Sequence, residues 1–149
     1  MIYVRLATKD DIKLLAPLFD AYRVFYRQES DLKGGAEFLN QRFLNNQSRI
    51  YIAFSSEKEQ EQAVGFTQLY PLFSSVTMQP MILLNDLFVT PSLRGKGVGK
   101  KLIDHVKSWC KETNQKGIAL STGISNPAQK LYEREGFKKD TDLFYFWQL

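Results

Sequence analysis

The chain has one cysteine and one histidine in 149 residues. A lone cysteine, Cys110, excludes an internal disulfide and gives no sign of an oxidising compartment. Two such side chains are also too few for a structural zinc site, so no metal is expected. No apolar run is long enough to span a bilayer, and the opening 1-MIYVRLATKDD-11 lacks a signal-peptide pattern. There is no long run of lysine or arginine. The net charge of +4 is spread along the chain, which favours anionic ligands but falls short of a nucleic-acid footprint. No repeat, low-complexity tract or linker interrupts the sequence. These absences lead us to expect a cytoplasmic protein built as one domain over residues 1–149, with no nucleic-acid or membrane partner.

What is present reads as alternating strands and helices. Residues 2-IYVRLA-7 make a short strand, and Thr8 precedes Asp11 with the spacing of a capping box. Ile12, Leu15, Leu18, Phe19, Tyr22, Phe25 and Tyr26 then recur at helical spacing, with Pro17 expected to kink or split the helix. Gly34-Gly35 predicts a break before a second helix over 36-AEFLNQRFL-44. The runs 49-RIYIAF-54 and 63-AVGFTQLY-70, joined by polar 55-SSEKEQEQ-62, predict a hairpin that Pro71 ends. A third strand covers 81-MILLNDLFV-89.

After a glycine-rich stretch, Val98, Leu102, Ile103, Val106, Trp109 and Cys110 give the next helix one apolar face. A buried strand is expected at 118-IALST-122. Pro127 suits the first turn of a helix over 127-PAQKLYERE-135, and Gly136 its end. The final run 143-LFYFWQ-148 predicts a closing strand, apolar on both faces, that is either central or covered by a second subunit. The order β-α-α-β-β-β-α-β-α-β is an α/β fold with a mixed central sheet flanked by helices.

The stretch 91-PSLRGKGVGKK-101 packs three glycines into five residues among basic side chains. A strand, then glycines, then a helix start makes an anion site: the first helical N–H groups lack partners, and glycine lets a phosphate approach them. The alternative is a Gly- and Lys-rich surface turn. The nucleotide-triphosphate loop does not fit. With Gly99-Lys100 as its G-K pair, Arg94 stands at the first glycine position and Lys101 at the hydroxyl position. The dinucleotide fingerprint fails at its third glycine, where Lys100 stands.

Arg94-Gly95-Lys96-Gly97-Val98-Gly99 resembles the [RQ]-x-x-G-x-[GA] segment of the GCN5-related N-acetyltransferases. The wider 85-NDLFVTPSLRGKGVGKKLI-103 and 125-SNPAQKLYEREGF-137 are similar to that family's blocks and stand in its order. The resemblance implies an enzyme that moves an acetyl group from acetyl-CoA to a primary amine of a small molecule by direct attack in a ternary complex. It implies pyrophosphate contacts from Arg94 through Lys100, that is Arg94, Gly95, Lys96, Gly97, Val98, Gly99 and Lys100. It also implies a backbone oxyanion donor at Leu87 and pairing of the cofactor arm along Phe88 and Val89. Tyr132, in the Leu131-Tyr132 pair, takes the role of acid toward the leaving thiolate; alone it would read as a packing residue.

Asn85-Asp86 interrupts an apolar strand, and alternation turns the two to opposite faces. The region resembles the polyamine- and histone-acetyltransferase branch, where a Glu-Asp or Asn-Asp pair occurs and the glutamate can act as base. Asn85 cannot accept a proton, though it could orient a water; that leaves Asp86 as amine anchor, ranked first, or as base, or else a base-free route in which the neutral amine binds. The family's asparagine falls on Ser125 by count, while Asn126 lies one residue closer to Ala128, so either contacts the cofactor. Tyr22, Phe25, Tyr26, Tyr70 and Phe73 are candidates to wall the acceptor cleft together with Asp86, with cation–π contact to the amine. A protein-lysine acetyltransferase and a non-catalytic acyl-CoA sensor are the rival readings, and a homodimer is the expected assembly.

Overall fold

The computed structural model describes residues 1–57 and 60–149, so Lys58 and Glu59 of the expected 55–62 connection lie outside the described residues. The chain runs β1 (Ile2–Leu6), α1 (Ile12–Phe25), α2 (Leu32–Leu44), β2 (Arg49–Glu57), β3 (Gln60–Ser74), β4 (Gln79–Val89), α3 (Val98–Glu112), β5 (Ile118–Ala119) and α4 (Gln129–Arg134). The strands form one sheet in the order β1-β2-β3-β4-β5. The first four pair antiparallel, and β4 pairs parallel with β5 across the α3 crossover. This is the α/β class expected.

Each face of the sheet carries its own core. Ile50, Ile52, Phe54, Phe66 and Phe88 pack against Leu15, Leu18 and Phe19 of α1 and Leu39 of α2. Tyr51, Ala53, Val64, Leu69, Ile82 and Leu84 face Val98, Leu102, Ile103, Val106 and Cys110 of α3. The division follows from strand alternation, which sends successive side chains to opposite faces. It follows equally from the apolar stripe of α3, whose spacing matches the helical repeat. The turn that leads into α1, Lys9–Asp11, is fixed by the capping box: the Thr8 N–H donates to the Asp11 carboxylate at 2.8 Å, the Thr8 hydroxyl accepts from the Asp10 N–H, and Arg5 grips the Asp11 carboxylate with two bonds of 2.9 and 2.8 Å.

Several expectations need correction. Gly34-Gly35 does not break the chain but lies in the first turn of α2, where the Asp31 side chain accepts from the Gly34 N–H at 2.8 Å. A Cβ on Gly35 would stand 3.2 Å from the Phe19 ring, so the glycine marks a close helix–helix approach. Pro17 does not split α1, which runs unbroken from Ile12 to Phe25; it is exposed, so water can solvate the carbonyl its ring leaves unpaired. Pro71 does not end β3, which continues to Ser74. Pairing with β2 stops at Leu69, and beyond it one side of β3 is an edge where proline costs no ladder bond. Helix α4 begins at Gln129, two residues after Pro127.

The largest departure is the end of the chain. Residues 143–149 form no strand and are exposed. The expectation of a strand rested on side-chain pattern, which says nothing about an available partner. The edge strand β5 offers only two paired residues.

Candidate active site

Two features of β4 shape the site. Its ladder with β5 stops at Leu83, opposite Ala119, while its ladder with β3 continues to Val89. The two parallel strands therefore part beyond Leu83, leaving one edge of Leu84–Val89 without a strand neighbour among the described residues. The second feature is a bulge. Gln68 pairs with Asp86 and Leu69 pairs with Leu84, so Asn85 has no partner across the ladder. A bulge inserts one residue and shifts the alternation that follows. Leu84 lies in the α3 core, yet Asp86 and Phe88 fall on the α1–α2 face.

A cavity of about 550 Å³ opens where β4 and β5 part. Its walls include Leu87, Phe88 and Val89 of β4, the glycine loop, and Asn126, Leu131 and Tyr132. The loop has the backbone that its glycines predict: Gly95 and Gly97 have φ of 75° and 81°, the left-handed region that disfavours side chains. Gly97 is the N-cap of α3, so the unpartnered N–H groups of the first helical turn sit beside the cavity. A Cβ on either glycine would meet nothing within 4 Å, so these positions border open space.

Arg94 donates from Nε to the Val89 carbonyl at 3.0 Å, with its guanidinium near the Phe25 and Phe88 rings. Lys100 is bound to Asp104 at 2.7 Å, and that partner raises its pKa. The Thr122 hydroxyl, on the cavity wall, is buried with no hydrogen-bond partner among the described residues.

A second cavity of about 450 Å³ lies on the α1–α2 side. Phe19, Tyr22, Phe38 and Tyr70 give it aromatic walls, and Arg23, Asp31 and Asp86 bring charge to it. Tyr22 and Asn85 line both cavities and form the partition between them. Asp86 is 3% exposed. Burial pushes its pKa up, against the opposing hydrogen bonds from Gln68, Tyr22 and Asn85. Burial and the nearby Asp86 raise the Tyr22 phenol pKa as well, and they push Tyr70 up to about 12. On the other side of the partition, burial and then Tyr26 push Tyr132 up to about 12, so it keeps its proton at neutral pH.

Most of the residues chosen from sequence meet here. The donor-side cavity gathers Asn85, Leu87, Phe88, Val89, Arg94, Gly95, Gly97, Val98, Gly99, Lys100, Asn126 and Tyr132, with Tyr22 and Tyr26 from α1. Lys96 and Ser125 are not part of its lining. Of the two alternatives near α4, Asn126 is thus the one at the cavity, and its Oδ1 accepts from the Ala128 N–H at 2.9 Å. Tyr70 and Asp86 belong to the second cavity. Phe73 is 79% exposed and walls neither, because it lies on the part of β3 that runs beyond β2. Sequence reasoning missed Thr122, Arg23 and Phe38, whose residue types carry no signal until the fold brings them to a cavity.

The acetyltransferase (GNAT) family profile matches residues 15–137. The chain belongs to the GNAT acetyltransferase family. An uncharacterized N-acetyltransferase, YhfO of Bacillus subtilis, is 43% identical over 96% of this chain and 94% of its own length. A crystal structure of a probable acetyltransferase superposes with a TM-score of 0.88 at 34% identity, covering 99% of this chain and 97% of the other. A D-amino-acid N-acetyltransferase, HPA3 of Saccharomyces cerevisiae, is 32% identical over 69% of this chain and 65% of its own length.

The acetyltransferase is an enzyme that uses acetyl-CoA. Its residues fit that group: left-handed glycines beside free helix N–H groups suit a pyrophosphate, and the unpartnered Thr122 hydroxyl suits an amide-rich arm. No helix among the described residues is long and apolar enough to cross a membrane.

Proposed function

We propose that this acetyltransferase acylates the primary amine of a small molecule, and that amino acids are the first acceptors to consider. The observation that carries this is the meeting of two cavities at Tyr22 and Asn85, one fitted to the donor and one lined by Asp86. Acetyl-CoA, when bound, supplies a thioester acetyl group to be attacked. The glycine loop from Arg94 to Lys100 holds its phosphates, while Val89 and Asn126 position its arm. The Leu87 N–H, on the β4 edge without a strand neighbour, donates to the acetyl oxygen as charge builds there. Direct transfer in a ternary complex suits two cavities separated by a single partition.

In the second cavity, Asp86 attracts the ammonium form of the acceptor and then takes a proton from it. A buried carboxyl with a raised pKa is a better base than an exposed one. Arg23 lines the same cavity and offers a partner for an acceptor carboxylate. The likeness to a D-amino-acid N-acetyltransferase supports an amino-acid acceptor. Tyr132 keeps its proton and donates it, in a hydrogen bond, toward the departing sulfur.

The whole chain acts as one N-acetyltransferase domain in the cytoplasm and pairs with a second copy. Thiol release from acetyl-CoA tests the acceptor, with D- and L-phenylalanine, spermidine and a lysine peptide in parallel. Turnover with amino acids above the other two is the expected result. Turnover with the peptide alone would reassign the enzyme to protein substrates.

A further inference from the structure

Gln68 is wholly buried, and it stands directly across the β3–β4 ladder from Asp86. Its Nε2 donates to Asp86 Oδ2 at 2.5 Å. Its Oε1 is buried and has no partner among the described residues. The other carboxylate oxygen, Oδ1, accepts from Asn85 Nδ2 at 2.9 Å, and the Thr67 hydroxyl holds the Asp86 main-chain carbonyl at 2.9 Å. Asp86 is thus fixed through its backbone and both oxygens, while its neighbour keeps one end of its amide idle. A buried acceptor without a partner is costly, so it calls for an explanation.

The chemistry at Asp86 supplies one. When an acceptor N–H bond breaks, the electron pair stays on nitrogen and an Oδ2–H bond forms on Asp86. The carboxyl then presents a donor where it had presented an acceptor, and the Gln68 N–H group opposes it. A half-turn of the amide brings Oε1 to accept from that O–H. An amide can serve both states from one place, because it carries a donor and an acceptor on one carbon. We propose that Gln68 is the positioning residue of the proton acceptor, turning its amide end for end as Asp86 gains a proton and returning when that proton passes to water. This rests on Asp86 acting as proposed above. Tyr22 and Arg23 of α1, Asp31 at the cap of α2, and Tyr70 of β3 share the cavity with Asp86. Gln68 alone among these groups faces it directly across the strand ladder.

The test needs no acceptor, so its outcome is separate from that of the substrate screen. Protein saturated with acetyl-CoA, labelled with 13C in aspartate carboxyls and 15N in glutamine amides, is titrated by NMR. The Asp86 carboxyl and Gln68 amide signals are expected to share one midpoint. Asp86→Asn should abolish the Gln68 titration. In Gln68→Met, which keeps the length but cannot donate, the Asp86 midpoint should rise by about one to two pH units. A Gln68 amide signal that stays fixed through the Asp86 midpoint in the wild-type protein would overturn the proposal, whether or not the methionine variant folds. A negative amine screen beside a positive titration would remove the proposed function and leave the coupling standing.

Discussion

Leu84 and Asp86 stand two positions apart on β4 and face opposite sides of the sheet. Regular alternation would put both beneath α3. The unpaired Asn85 shifts the phase, so Leu84 enters the α3 core and Asp86 turns toward α1 and α2. One inserted residue therefore does two things. It exposes Asn85 at the partition between the cavities, and it buries a carboxylate on the acceptor side.

Burial of Asp86 has a pH signature. Its folded pKa lies above the ordinary carboxylate value, so the unfolded chain ionises first as pH rises. Stability is then lost progressively from the ordinary carboxylate range up to the folded pKa and levels off above it. Asp86→Asn cannot ionise. The melting temperature of this variant relative to wild type should climb through that window and then stay constant. The same variant should lose about 100-fold in kcat/KM, the lower range for removing a general base. A melting difference that is flat with pH would show that Asp86 carries no ionisation penalty.

Tyr132 packs edge-on against Phe137, with ring centroids 5.9 Å apart, and that contact survives replacement by phenylalanine. Tyr132→Phe thus removes the hydroxyl with little change in packing. Turnover should fall about 100-fold while the affinity for acetyl-CoA stays unchanged. Single-turnover kinetics and cofactor titration measure the two effects separately. Unchanged turnover would return Tyr132 to a packing role.

Much of the fold and most of the donor side were legible because the signals are local. Glycines before an amphipathic helix, the Thr8–Asp11 spacing and the two faces of the sheet each follow from neighbours within a few residues. The misreadings have non-local causes. Gly34-Gly35 stays helical because Asp31 caps the turn and Phe19 packs against it. Pro71 is tolerated because β2 has already ended. The bulge could not be read from Asn85-Asp86, since polarity shows that one residue differs from its strand but not that the register slips. Arg23, Phe38 and Thr122 enter the site only through tertiary packing.

Gly97 gives a test of the donor loop. Its φ of 81° costs a side-chain-bearing residue about 1–2 kcal/mol, although a Cβ there would touch nothing within 4 Å. Gly97→Ala should lower the melting temperature and also shrink the rise produced by acetyl-CoA, since the loop would no longer present its amides in place. Gly117→Ala is the control. That glycine also has open space and no left-handed φ, so the cofactor-induced rise should remain whole.

The Arg5–Asp11 pair makes a prediction of opposite sign to Asp86. The Arg5 guanidinium, ahead of the Thr8 amide, holds the Asp11 pKa down to about 2. Its stabilisation is complete above the ordinary carboxylate value and disappears as pH falls through about 2. Asp11→Asn should cost about 1 kcal/mol at neutral pH, as for a lost helix cap, and nothing in strong acid. Urea melts across the acidic range measure this directly. A penalty that persists at the acid end would assign the effect to shape rather than charge.

The end of the chain predicts the assembly state. Leu143, Phe144, Tyr145, Phe146, Trp147 and Leu149 are each between 77% and 104% exposed. Six large apolar side chains in one short segment form a patch of the kind that marks an association surface. The segment also has the aromatic composition of a strand, and β5 at the sheet edge has paired only on its β4 side. Pairing of this tail with the β5 edge of a second copy would cover both at once and form a symmetric dimer. Light scattering should give the mass of a dimer for the full chain and of a monomer for a chain ending at Asp142. The truncated protein should keep its acetyl-CoA-induced melting shift, because none of the tail lines the donor cavity. A monomeric full-length chain would refute the pairing, and a dimer that survives truncation would move the interface elsewhere.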